Sequence, residues 1–149
     1  MNAKELPEYK EVVMALTPVL NDLPGKLIAI DGQSGAGKTT LGRYLAWQFN
    51  ISLVETDLFL IQNQGRLVYL NDALSHIIAS RLEIPRPVVV EGVAILRLLQ
   101  SLAFRPDYVI YVSSDHAPES RSIKNELAHY EAEFKPTIYA DMLVNIDQP

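Results

Sequence analysis

The chain of 149 residues contains no cysteine, which excludes disulfide bonds, thiolate metal sites and a cysteine nucleophile. It also has no excess of basic residues, and its formal net charge of −5 argues against a surface that binds a nucleic-acid backbone. No apolar run is long enough to span a bilayer, and the polar N-terminus lacks the pattern of a secretory signal. We therefore expect a cytoplasmic protein with neither a nucleic-acid nor a membrane partner. The oligomeric state stays open.

Length and composition fit one globular domain. Hydrophobic residues make up 48% of the chain and charged residues 21%, which is ordinary for a protein with a buried core. We expect a single domain over residues 1–149. Within it, residues 1–24 form a helical extension, because residues 8–20 have helical spacing that Pro18 should interrupt.

Five short runs have the composition of β-strands: residues 27–31, 51–55, 88–91, 108–112 and 142–146. The first four are nearly continuous apolar runs, which is typical of strands covered on both faces. The segments between the runs have helical spacing, and the last of them, over residues 118–133, is the most polar. This alternation predicts right-handed crossovers and a three-layer α/β domain.

A glycine-rich segment between the first strand and the next helix has the Walker A pattern, Gly-x-x-x-x-Gly-Lys-Thr. Its glycines let several backbone N–H groups face one anion, and the helix N-terminus adds further donors. Lys38 can reach the outer phosphates of a nucleotide, and Thr39 can ligate Mg²⁺. The sequence predicts that a nucleoside triphosphate, expected to be ATP, binds here with Mg²⁺, and it lacks the guanine-reading motif of a Ras-type GTPase. The expected contact residues are Gly32, Gln33, Ser34, Gly35, Ala36, Gly37, Lys38, Thr39 and Thr40.

Two carboxylates follow neighbouring strands on the edge where ligands bind in an open α/β sheet. Asp57 comes after the second strand and could orient an acceptor hydroxyl or accept its proton, although a turn cap would use the same residue type. Glu91 ends the apolar run of the third strand, where P-loop proteins place a carboxylate that supports Mg²⁺. A plain ion pair at the strand end is the alternative for Glu91.

These segments occur in the order seen in a known group of enzymes. The stretches IAIDGQSGAGKTT at 28–40, TDLF at 56–59, VVVEG at 88–92 and DYVIYV at 107–112 resemble the uridine kinase-like branch of P-loop kinases. That branch includes phosphoribulokinase and bacterial pantothenate kinase relatives. The resemblance implies the P-loop NTPase fold, with a five-stranded parallel sheet in the order 2-3-1-4-5. It also implies ATP as phosphoryl donor and a small metabolite hydroxyl as acceptor, with Asp57 and Glu91 matching the corresponding acidic motifs.

The same resemblance predicts a lid with an Arg-Arg-x-x-Arg-Asp run, which aligns with residues 121–126. Only Arg121 matches in place, and we expect it to act in catalysis with Lys38 and Asp57. Residues 57–87 leave room for little beyond one helix, so the nucleoside-holding insertion of uridine kinases is missing. The sequence thus predicts a phosphotransferase acting on a small metabolite. The alternative is an ATP-binding module or NTPase with weak or no kinase activity.

Overall fold

The computed structural model describes residues 6–21, 25–84, 86–117 and 123–146 of the chain. Its centre is one parallel sheet of five strands in the order β2-β3-β1-β4-β5, so the expected order is confirmed. The strands are β1 (Leu27–Gly32), β2 (Ser52–Glu55), β3 (Val88–Glu91), β4 (Tyr108–Ser113) and β5 (Met142–Asn145).

Helices follow or precede every strand. They are α1 (Pro7–Leu20), α2 (Lys38–Phe49), α3 (Asn71–Glu83), α4 (Ile95–Ser101), α5 (Lys124–Phe134) and α6 (Pro136–Tyr139), with a short 3₁₀ turn at Thr56–Phe59. Across the described ranges, no helix has the length and hydropathy needed to cross a membrane.

The core lies in two apolar layers, one on each face of the sheet. Successive side chains of a strand point to opposite faces, so Ile28 and Ile30 pack with α1 and α2. Leu27 and Ala29 pack on the other face against α3, α4 and α5. Because both faces of β1 are covered, all of its residues are buried, which explains the continuous apolar run.

Two helix boundaries differ from those predicted. The expected interruption of α1 at Pro18 is wrong, because the helix continues to Leu20. Pro18 lies so close to the C-terminus that few backbone hydrogen bonds are lost, and the Thr17 hydroxyl donates to the carbonyl of Val13. The polar helix expected over residues 118–133 is observed as α5 from Lys124 onward, and residues 118–122 lie outside the described ranges.

Candidate nucleotide-binding site

The loop between β1 and α2 turns tightly at three glycines with positive φ. These angles are 147° at Gly32, 76° at Gly35 and 98° at Gly37, a region that side chains with a Cβ disfavour. Gly32 also lies so close to β4 that a Cβ there would overlap the carbonyl group of Val112. The loop ends at the N-terminus of α2, where the first backbone N–H groups have no partner within the helix. This arrangement is suited to binding an anion.

Lys38 folds back over the loop instead of extending into solvent. Its side chain is buried, and Nζ donates to the carbonyl oxygens of Gly32 at 3.1 Å and Gln33 at 2.5 Å. Burial lowers the pKa of Lys38, whereas the negative charges of Glu91, Asp31 and Asp57 raise it. The ammonium group is therefore held at the loop by carbonyl groups and surrounded by carboxylates.

The start of α2 is tied to the end of β3 by one hydrogen bond. Thr39 Oγ1 donates to Glu91 Oε1 at 2.9 Å. Burial raises the pKa of Glu91, and the hydrogen bond from Thr39 opposes that rise. Thr56 fixes the strand end from the other side, because its hydroxyl donates to the Glu91 carbonyl at 2.9 Å. The two residues predicted to bind the metal are thus hydrogen-bonded to each other beside the loop.

Asp57 lies in the 3₁₀ turn that follows β2 and is exposed. Its negative charge acts on the pKa of both Lys38 and Glu91, so the carboxylate is near the loop cation and the buried carboxylate. The preceding Glu55 is instead engaged by Arg43 in an exposed ion pair at 2.8 Å. The charge of Glu55 also raises the pKa of Glu91, but of the two carboxylates only Asp57 acts on the pKa of Lys38 as well.

A residue that the sequence did not single out, Asp31, lies directly beneath the loop. It is 1% exposed and accepts hydrogen bonds from the Tyr130 hydroxyl, from the Gly32 N–H at 2.9 Å and from the Ile95 N–H at 3.5 Å. Burial raises the pKa of Asp31 to about 6, although these hydrogen bonds and Lys38 lower it. The only indication of Asp31 in the sequence was that a carboxylate ends an otherwise apolar predicted strand.

A cavity of about 210 Å³ separates the loop from α5. Ala94, at the start of α4, lies in its wall. The polar residues around it are Asp31, Gln33, Ser34, Lys124, Tyr130 and Glu131. The cavity is therefore bounded by the phosphate loop on one side and by the described part of the predicted lid on the other.

The structure brings together most of the residues that the sequence selected. Lys38, Thr39, Asp57 and Glu91 meet at the carboxyl edge of the sheet, around the loop that runs from Gly32 to α2. Arg121 falls within residues 118–122, so its predicted role lies outside the described residues. Among those that are described, no cluster of three or more histidine and acidic side chains could hold a metal by itself.

No family model matches the chain, and no curated protein matches it by sequence. Solved structures do match. A possible uridine kinase from Bacillus stearothermophilus superposes with a TM-score of 0.64 at 18% identity, covering 91% of this chain and 98% of that one. Shikimate kinase from Acinetobacter baumannii, in complex with shikimate, gives a TM-score of 0.50 at 16% identity, with 89% of each chain covered.

Thymidylate kinase from Candida albicans gives a TM-score of 0.51 at 13% identity and covers 83% of this chain and 84% of that one. At identities of 13–18%, these comparisons show similarity of fold only. The strand order of this chain and its loop between β1 and α2 are those expected of that fold. The chain therefore has the fold of P-loop kinases, and the expected likeness to the uridine kinase-like group is confirmed at the level of the fold.

Proposed function

We propose that the protein is an ATP-dependent phosphotransferase that moves the γ-phosphoryl group to a hydroxyl of a small metabolite. The observation that carries the proposal is the meeting of Lys38, Thr39, Glu91 and Asp57 beside one anion-binding loop. A loop that only bound an anion would need no carboxylate on the same edge. A phosphotransferase needs both a cation for the phosphates and a carboxylate for the acceptor.

The binding half of the proposal rests on the loop. The N–H groups at the start of α2 and the Lys38 ammonium supply the donors and the positive charge that a triphosphate requires. Lys38 Nζ would exchange its bonds to the carbonyls of Gly32 and Gln33 for bonds to phosphate oxygens. The buried position of Lys38 makes such charge-assisted bonds stronger than they would be in water.

The donor set also fits Mg²⁺. The Thr39 hydroxyl and the Glu91 carboxylate are hard oxygen ligands that lie 2.9 Å apart beside the loop. The shortage of further protein ligands suits this ion, which usually keeps several waters and binds phosphate oxygens as well. When bound, Mg²⁺ would neutralise charge on the phosphates. Thr39 would hold it directly, and Glu91 would do so directly or through water.

Asp57 supplies the chemistry that the loop lacks. In the proposed step the acceptor oxygen forms a bond to the γ-phosphorus, the bond from that phosphorus to the bridging oxygen breaks, and ADP leaves. The hydroxyl proton passes to the Asp57 carboxylate. Lys38 stabilises the negative charge on the phosphates during this step. Exposure of Asp57 at the edge of the site leaves it accessible to an acceptor.

The test is ADP release from ATP and Mg²⁺, measured with and without a panel of nucleosides, sugars and vitamins. The right acceptor should stimulate release. Asp57→Asn should reduce the stimulated rate by about 10²- to 10⁴-fold without weakening nucleotide binding. Lys38→Met should weaken binding of a non-hydrolysable ATP analogue by about ten- to a hundredfold, since a charge-assisted bond is lost.

Asp72→Asn is the matched control, because Asp72 is an exposed carboxylate in the first turn of α3, and this change should leave the rate unaltered. Nucleotide binding without stimulation by any acceptor would support a binding module instead. ADP release that no acceptor increases would indicate an NTPase. Failure to bind nucleotide at all would overturn the proposal.

A further inference from the structure

A further cavity, of about 340 Å³, lies at the amino edge of the sheet, whereas the phosphate loop lies at the carboxyl edge. It is bounded by α4, by the connection from α4 to β4, by the end of α5 and by α6. The six residues of β1 separate the two edges by roughly 15–20 Å. None of the roles proposed above uses this cavity. Its walls include Leu96, Gln100, Phe104, Arg105, Phe134 and Tyr139.

The walls of this cavity are mainly aromatic. Phe104 and Phe134 are only partly buried, and Tyr139 is 52% exposed. Leu96 adds buried aliphatic surface. A concave site of this volume, apolar except for a few polar groups, is typical of small-molecule binding. Rings that remain accessible at a cavity offer a surface on which a flat apolar group can pack.

One cation stands at this cavity without a carboxylate partner. Arg105 is exposed, and within the described ranges it forms no ion pair. The carboxylates that directly precede β4 and β5 are engaged by backbone N–H groups. Asp107 accepts from Leu27 at 2.7 Å, and Asp141 accepts from Val109 at 2.8 Å. The guanidinium group of Arg105 is therefore available to a carboxylate that a ligand brings.

We propose that this cavity is an effector site for a small molecule with an aromatic body and one carboxylate. The aromatic walls cover the body, and Arg105, with the exposed Gln100 amide beside it, binds the carboxylate. Such a ligand is not the phosphoryl acceptor, because Lys38 and Asp57 lie at the other edge of the sheet. It can influence the phosphate loop only through the fold.

Two contacts join the cavity wall to the carboxylate beneath the phosphate loop. Phe134 stacks on Tyr130, with ring centroids 5.2 Å apart and planes inclined by 28°. The Leu96 N–H donates to the Tyr130 hydroxyl at 3.3 Å, and that hydroxyl donates to Asp31. Asp31 in turn accepts from the N–H of Gly32, the first glycine of the loop, at 2.9 Å. Tyr130 is 2% exposed, so a ligand that displaces Phe134 must change the packing of Tyr130 and its contact to Asp31.

Helix α5 lines both cavities, with Tyr130 at the cavity beside the loop and Phe134 at this one. Binding at the two sites is therefore expected to be coupled. This half of the inference rests on the proposed nucleotide binding. Coupling is reciprocal, so a ligand that changes the affinity for nucleotide by some factor must have its own affinity changed by nucleotide by the same factor.

The probe is phenylacetate, and phenylacetamide is its neutral counterpart. An NMR titration of the full chain at millimolar concentrations should shift the amide signals of Leu96, Phe104 and Phe134. Arg105→Gln should weaken the acid by about three- to tenfold and leave the amide unchanged, because an exposed charge-assisted bond is lost. Arg81→Gln is the matched control. Arg81 is an exposed arginine in the last turn of α3, outside the cavity, and its loss should change neither affinity.

Calorimetry with a non-hydrolysable ATP analogue and Mg²⁺ measures the coupling. Saturating phenylacetate should change the affinity of wild type for the analogue by at least about fivefold. Tyr130→Phe keeps the ring but removes the hydroxyl that meets Asp31, so it should abolish most of this change while phenylacetate still binds. The wild-type measurement and the surface variant Arg105→Gln decide the inference even if Tyr130→Phe does not fold.

The inference is overturned if phenylacetate shifts none of these signals, or if Arg105→Gln affects acid and amide alike. It also fails if bound phenylacetate leaves the affinity for the analogue unchanged. Sedimentation that shows a dimer dissociated by Tyr139→Lys would overturn it too, because a second copy of the chain would then cover the cavity. If wild type binds no nucleotide, the proposed transfer reaction and the coupling fail together, and the NMR titration alone decides whether the cavity binds a carboxylate.

Discussion

The buried carboxylate of Asp31 makes the stability of the nucleotide-free protein depend on pH in a defined direction. Its pKa is raised to about 6 in the folded protein from the ordinary value of 3.8, with burial as the largest cause. The folded protein therefore binds this proton more tightly than the unfolded chain does. The resulting stabilisation is complete below about pH 4 and is lost as the pH rises through about 6.

The magnitude follows from the two pKa values. The difference between 3.8 and about 6, at about 1.4 kcal/mol for each pH unit, corresponds to a loss of about 3 kcal/mol on going from pH 4 to pH 8. Solvent screens the Asp31 charge little, because the residue is only 1% exposed. A loss of this size is a large fraction of the stability of an ordinary domain.

The variant Asp31→Asn keeps the shape of the side chain and removes the titration. We expect its free energy of unfolding, relative to wild type, to rise with pH by about 3 kcal/mol between pH 4 and pH 8. Urea unfolding at five pH values in this range, followed by circular dichroism, measures the difference at each pH. Taking the difference removes the contributions of all other carboxylates that titrate alike in both proteins.

Glu133→Gln, which removes an exposed carboxylate on α5, is the control for the loss of one negative charge from the protein. The reasoning is refuted if the Asp31→Asn difference is flat. It is also refuted if the variant loses stability relative to wild type as the pH rises. A flat difference would mean that hydrogen bonds from Tyr130 and the loop offset the cost of burying the charge, and a falling one would mean that they outweigh it.

Two further predictions concern the same region. Gly32→Ala should destabilise the protein by at least about 2–3 kcal/mol in urea unfolding, because its Cβ would overlap the carbonyl of Val112 at a strained φ. Gly65→Ala, which also has a positive φ but nothing near the added Cβ, should cost only about 1 kcal/mol, and equal losses would contradict the steric argument. Tyr130→Phe removes a donor to Asp31 and should destabilise by about 1–3 kcal/mol at pH 8 and by less at pH 5, as urea unfolding at both pH values would measure. A loss that does not depend on pH would show that the hydroxyl does not act through the Asp31 charge.

The fold could be predicted from the sequence because the spacing of apolar residues reflects which faces of each element are buried. β3 begins and ends where its apolar run predicted, and the other strands agree within one residue at either end. The exact ends of strands are harder to predict, since hydrogen bonding to the neighbouring strand decides which residue is last. The extent of α1 was misjudged because a proline in the last turn interferes with few backbone bonds.

The site was predictable only where it is local in the chain. The turn at the glycines and the place of Lys38 follow from residues next to one another. The bond between Thr39 and Glu91 joins residues 52 positions apart, and their predicted places at the sheet edge implied proximity but not contact. Nothing in the local pattern indicated that Tyr130, 99 positions away, would donate to Asp31.

By itself, the sequence determined the alternation of strands and helices and the phosphate loop, because both depend on short-range periodicity and on backbone conformations that only glycine adopts easily. Tertiary structure alone decided which carboxylate is buried under the loop and which residues wall the cavity between the loop and α5. Asp31 acquires its raised pKa from the layers packed around it, and the Tyr9 ring meets the Tyr44 ring only because α1 packs on α2. Burial and long-range contact are properties of the assembled sheet, and no segment carries them alone.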